Sequence, residues 1–179
     1  MLEALFNKFA EWTGIVIVSD RLPGPDGDDA TVLDVPGYVQ TQTYTCGFVA
    51  GLMVLHAFKP NSSIDLFYRR VAPHEDWGAS TEKIATALRR STIGVGKRES
   101  LTFDAIADAI EAGYPILTTV STGDPEVNHW VVIYGVGRKP KRIFLAANGL
   151  PFLSQKKYPW RTFKDKWCPS GFGLVCWGK

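Results

Sequence analysis

Cysteine is scarce: Cys46, Cys168 and Cys176 are the only three in 179 residues, and none of them forms a CxxC pair. An odd count at such spacing excludes a disulfide framework and offers no zinc-ligand set, so no metal or other cofactor is expected and a reduced, cytoplasmic setting is. An excess of charge of one sign is also missing, since 20 Lys and Arg stand against 18 Asp and Glu. That balance leaves no electrostatic footprint for nucleic acid or a membrane surface. The one dense basic run, RKPKR at 138–142, lies between two apolar segments and reads as a solvated hairpin loop. No apolar run approaches membrane-spanning length. The N-terminal stretch MLEALFNKFAEWTGIVIVSD carries an acidic Glu3 and lacks a small-residue cleavage site. It reads as an amphipathic helix on Leu2, Leu5, Phe6 and Phe9 followed by a strand, not as a targeting signal.

What the chain has is apolar material, with 45% hydrophobic and 21% charged residues. A chain of this length buries roughly 70% of its unfolded surface, and a single domain over residues 1–179 is expected. RLPGPDGDDA at 21–30 is a Pro, Gly and Asp-rich loop, and VLDVPGYVQ reads as a short strand entering a turn. From Cys46, CGFVAGLMVLHAF keeps few polar residues over about three helical turns until KPNSS ends it, the pattern of a buried helix. Ser62 or Ser63 can cap a helix reaching Arg70; Ser80 can cap TEKIATALRRS, with Ile84, Ala87 and Leu88 on one face. Thr102 can cap FDAIADAIEAG, which stops at Gly113. The second half changes period. YPILTTVS, HWVVIYGVG, RIFLAANG and GFGLVCWG are β-branched or aromatic runs punctuated by Gly, Pro and Asn, as strands are. Helices followed by an antiparallel sheet give an α+β order, with the apolar face of the sheet expected on the Cys46 helix.

Chemistry centres on Cys46. A cysteine at the start of a buried helix is often only a small hydrophobe, but a helix N-terminus together with a nearby imidazolium lowers the thiol pKa and populates the nucleophilic thiolate. The partner must be His56, His74 or His129. His56 lies roughly 15 Å further along the same helix, out of reach of the thiol, and is expected to face a carbonyl or solvent. His74 sits in the loop VAPHEDWG, and His129 opens a strand after the turn TGDPEVN, where a cleft can form. If Val136 pairs with Ile143 across the hairpin, Val131 falls opposite Asn148 and His129 is the diagonal neighbour of Asn148, about 7–8 Å away at the backbone. An amide beside an imidazole fixes its tautomer and ring angle. Gln40 and Gln42, just upstream of Cys46, both qualify chemically as donors to an oxyanion.

VLDVPGYVQTQTYTCGFVAGLMVL, followed by LTFDAIADAIEAGYPILTTV, NHWVVIYGVG and LAANG, resembles the C39-like branch of the papain-like cysteine peptidases. The shared features are a glutamine six residues before a Cys-Gly, a Gly-Tyr-Pro entering a strand, a histidine opening the next strand and an Asp or Asn ending the one after. They fall within 31–150. The resemblance implies a papain-like fold in which an N-terminal helical part, with the nucleophile helix, packs on a C-terminal antiparallel sheet. It also implies Cys46 as nucleophile, His129 as general base and acid, Asn148 as the orienting residue and Gln40 as the oxyanion-hole residue. The activity implied is hydrolysis of peptide or amide bonds through a thioester, on a peptide or protein substrate. Transfer of the acyl group to an amine is the alternative, and a non-catalytic binding module is a more distant one. Members that process bacteriocins are fused to membrane transporters, and no such domain occurs here, so cleavage of a double-glycine leader is not expected. Trp160 and Trp167, in YPWRTFKDKW, fall outside the motifs and suit either a core edge or a substrate groove.

Overall fold

Strand β6 (Asn128–Gly137) organises the sheet, because NHWVVIYGVG is apolar on both faces and all of it except Asn128 is buried. Continuous burial of this kind requires cover on each side of the sheet. The computed structural model describes residues 15–17, 29–121, 128–146, 156–168 and 171–178. The helix expected near residues 2–9 lies outside them. The order of elements is β1 (Ile15–Ile17), β2 (Ala30–Val32), β3 (Tyr38–Gln40), α1 (Cys46–Phe58), α2 (Ile64–Val71), α3 (Thr81–Arg90), β4 (Ile93–Arg98), α4 (Phe103–Glu111), β5 (Ile116–Ser121), β6, β7 (Arg142–Ala146), β8 (Lys156–Pro159) and β9 (Gly173–Gly178). The principal sheet runs β4-β9-β5-β6-β7-β8, every neighbouring pair antiparallel, and β2 pairs with the far end of β6. β1 and β3 form a separate ribbon in which Ile15 pairs with Gln40.

The helices start where their caps place them. Ser63, Ser80 and Thr102 each accept a hydrogen bond from the backbone N–H three residues on, at Leu66, Lys83 and Ala105. Gly113 follows α4 at φ +85°, a left-handed stop that costs glycine nothing. Two apolar clusters lie on opposite faces of the sheet. On one, α1 packs with Phe67, Ile84 and Leu88 against Trp130, Val132, Tyr134 and Phe144. On the other, Ile106 and Ile110 of α4 cover Val131, Ile133, Ile143 and Leu145. The sheet therefore has two apolar faces, where the expectation was one resting on the Cys46 helix. Trp160 belongs to the second cluster, 5.8 Å from the Phe103 ring, and covers a core edge.

Two features depart from the sequence-based expectation. β4 lies between α3 and α4, so the helices are not all completed before the principal sheet begins. In the 138–142 hairpin Val136 does face Ile143, but a bulge between Ile133 and Gly135 shifts the register by one and puts Val132 opposite Ala146. The expected pairing of Val131 with Asn148 therefore does not follow, and Asn148 itself lies outside the described residues.

Candidate active site

The turn before α1 is built so that the helix begins bare. Thr43–Thr45 forms one 3-10 turn, and Thr45 Oγ1 donates to the Gln42 carbonyl at 2.8 Å. Thr45 thus holds the turn and does not cap the helix with its side chain. Cys46 is the first helical residue. Backbone N–H groups of Trp130 and Gly47 act on its Sγ. Burial nevertheless outweighs them and pushes the thiol above its usual pKa, with these N–H groups pulling the other way. This differs from the expectation drawn from the helix dipole alone, because desolvation at the head of a buried helix is the larger effect.

The thiol also lies at the head of β6. Its contact with the Trp130 N–H puts it one peptide away from His129, which is buried and pairs across the sheet with Val120. Gly47 makes this approach possible, because a Cβ there would stand 2.7 Å from Ile84 Cδ1 and 3.0 Å from Trp130 Cδ1. Residue 47 must lack a side chain for the helix head to sit on the strand. Cys46 lines a cleft of about 300 Å³ with Thr43, Tyr44, Asn128 and the loop residues Glu75, Asp76, Trp77 and Gly78.

Gln40 stands at the end of β3, beside the same turn. Its Nε2 donates to the Thr43 carbonyl at 3.4 Å, and its Oε1 is buried without a protein partner. Gln42 Oε1 is likewise buried without one. The structure thus gathers Cys46, the backbone beside His129, and Gln40 around one turn.

The other histidines are accounted for. Tyr38 Oη donates to His56 Nδ1 at 2.5 Å, and His56 Nε2 donates to the Ser62 carbonyl at 3.0 Å. His56 faces a carbonyl, as expected, and burial lowers its pKa. His74 stacks on Trp77 with centroids 3.4 Å apart and planes 5° off parallel. Sequence reasoning left this loop unplaced, although it forms a wall of the cleft. A tryptophan in an acidic, aperiodic segment bounded by Pro73 and Gly78 was the available signal, since such a ring has no helix or strand face to bury it. Cys168 and Cys176 are buried away from the cleft: Cys168 Sγ lies 3.3 Å from Thr118 Oγ1, and burial pushes the Cys176 thiol up to about 12.

Comparison with known proteins is consistent with this geometry. The model of the Peptidase_C39 like family matches residues 32–174. No curated protein matches the chain. Among solved structures, a putative C39-like peptidase from Bacillus anthracis is similar at TM-score 0.67 and 11% identity, over 85% of this chain and 99% of that one. A double glycine motif protease from an AMS/PCAT transporter, solved with its leader peptide, is similar at TM-score 0.64 and 17% identity, over 83% and 94%. The peptidase domain of Streptococcus ComA, a bifunctional ABC transporter, is similar at TM-score 0.63 and 16% identity, over 79% and 96%. These likenesses establish the shared fold, and the family match over most of the chain establishes membership: the chain belongs to the Peptidase_C39 like family and is a cysteine peptidase.

Proposed function

We propose that Cys46 attacks a peptide or amide carbonyl and that the acyl group passes through a thioester to water. The observation that carries this reading is a thiol that opens a buried helix, lines a cleft and meets the Trp130 backbone N–H, one peptide from His129. Because burial disfavours the thiolate, attack is assisted by a base in the same step, and His129 takes this role. Proton transfer to the imidazole accompanies attack, and the imidazolium then protonates the leaving amine. Asn148 orients the ring. The Cys46 N–H and Gln40 receive the oxyanion: an amide has two N–H donors, and the one bonded to the Thr43 carbonyl leaves the other for the substrate. Peptide as substrate class follows from the family; the leader-peptide complex is a property of the AMS/PCAT relative.

The test is labelling with a peptidyl electrophile followed by mass mapping of the modified residue. Modification at Cys46 that disappears in His129→Ala is expected. Modification at Cys168 or Cys176, or peptide cleavage that survives Cys46→Ala, would overturn the assignment.

A further inference from the structure

The wall facing Cys46 presents an aromatic ring that the fold does not use. Trp77 is 70% exposed although it lines the same cleft as the thiol. One exposed ring is ordinary on a protein surface, but a ring that lines a cleft beside a reactive thiol is placed to meet a ligand. Its position is fixed rather than free. One part of the indole stacks on His74, whose Nδ1 accepts from the Asp76 N–H at 3.2 Å. The backbones of His74 and Gly78 exchange two hydrogen bonds of 2.8 Å, closing the loop into a tight hairpin. Gly78, at φ +69°, brings that hairpin so near the turn before α1 that a Cβ would stand 3.1 Å from the Tyr44 carbonyl. Tyr44 in turn hydrogen-bonds Tyr68 of α2. The ring is therefore held by the same turn that delivers Cys46.

The charge around the ring identifies its occupant. Glu75 and Asp76 line the cleft, and among the described residues no Lys or Arg does. An anionic substrate group would be repelled there, whereas a cationic side chain gains both from the carboxylates and from the electron-rich face of the indole, along which its methylene stem packs. We propose that Trp77, with Glu75 and Asp76, forms a specificity subsite that selects a Lys or Arg side chain of the peptide, within a few residues of the bond attacked by Cys46. This subsite rests on the role given to Cys46 above. The carboxylates are exposed, so the selectivity weakens as salt rises.

The test is digestion of a peptide library by the full chain, with every cleaved bond mapped by mass spectrometry on both of its sides. Lys and Arg should be enriched about 5–10-fold at one position near the cleavage site at low salt. The enrichment should fall below about 2-fold in Trp77→Ala and in Glu75→Gln/Asp76→Asn, and largely return in Trp77→Phe. Alkylation of Cys46 by iodoacetamide in Trp77→Ala should stay within about twofold of the unaltered chain, since a small neutral reagent does not use the subsite. Cysteine-dependent cleavage with no basic preference, or a preference untouched by Trp77→Ala, overturns the subsite alone. Absence of any Cys46-dependent cleavage overturns the role of Cys46, and the subsite with it.

Discussion

Replacing Gly47 by alanine tests whether helix α1 is seated on β6 as closely as catalysis requires. The added methyl would stand 2.7 Å from Ile84 Cδ1, 3.0 Å from Trp130 Cδ1 and 3.2 Å from Trp130 Nε1, against ordinary contacts of about 3.5–4.0 Å. Ile84 is fully buried, so its methyl has no solvent space into which to rotate. Overpacking of this kind costs about 1–3 kcal/mol, and helix propensity returns up to about 1 kcal/mol, less at a helix start than in the interior. A net loss of about 0–3 kcal/mol follows. Gly51, one turn on in α1, is the internal control. A Cβ there meets Phe67 Cζ at 3.2 Å and Ile84 Cγ2 at 3.3 Å, a shortfall of a few tenths of an ångström that the propensity gain offsets, leaving stability within about 1 kcal/mol. The two variants should separate most clearly in activity. Relief of the Gly47→Ala clash shifts Ile84 and presses on the indole of Trp130, whose backbone N–H contacts the thiol; a displacement of a few tenths of an ångström there should lower turnover, by less than the roughly 100-fold that a 1 Å misplacement costs. Urea denaturation and peptide turnover on the same preparations measure both quantities. Gly47→Ala with unchanged turnover, or Gly51→Ala as the more damaging change, would refute the argument.

Four further outcomes are expected. Gln40→Ala should lower turnover by about 10²–10³-fold with little effect on folding or substrate affinity, whereas Gln42→Ala should do little; the opposite order would mean that the loop presents a different amide to the oxyanion. Asn148→Ala should slow turnover without abolishing it, and Asn148→Asp should retain more, because a carboxylate accepts the same ring N–H; equal losses would remove the orienting role. Alkylation of Cys46 should be faster than that of Cys168 or Cys176, because only Cys46 lines the cleft, and its rate should still climb above the ordinary thiol value of about 8.5; a plateau below pH 7 would contradict the upward shift imposed by burial. Cys176 is pushed up to about 12, so between about pH 8.5 and about 12 the folded chain holds a proton that the unfolded chain releases. Its contribution to stability is complete below that window and falls by about 1.4 kcal/mol per pH unit through it, a slope that Cys176→Ala should remove from alkaline denaturation curves.

Legibility from sequence followed the strength of local signals. The α1 helix was readable because CGFVAGLMVLHAF is apolar on every side, and the caps Ser63, Ser80 and Thr102 because Ser and Thr oxygens satisfy the bare N–H groups of a helix start. β4 was not, since the glycines of IGVGKR weaken any strand signal. Their reason is non-local: the Trp177 indole on β9 lies across Gly94, where it leaves no room for a Cβ, and also covers Gly96. The hairpin bulge was equally hidden, because HWVVIYGVG is apolar whichever way its residues face and so cannot reveal a one-residue shift. Beyond its unburied tryptophan, the acidic hairpin carrying Trp77 gave no sign of where it lies, because its place depends on Gly78 meeting a carbonyl 34 residues earlier, at Tyr44.

The upward shift of the Cys46 thiol bears on how such a site avoids idle reactivity. A thiolate exposed at a helix head would react with any electrophile in solution. Here burial opposes the thiolate, while the backbone N–H groups of Trp130 and Gly47 already act in its favour at the sulfur. The same low polarity that opposes the charge in the resting protein makes each of those donors worth more once the charge appears. Donors fixed before the reaction need no reorganisation during it. In the mechanism proposed above a base beside the sulfur is then needed, and the candidate is His129 of β6, one peptide from the N–H that contacts the thiol. The proposed nucleophile and base would both be set by the meeting of one helix head with one strand end, where Gly47 leaves room for the close approach.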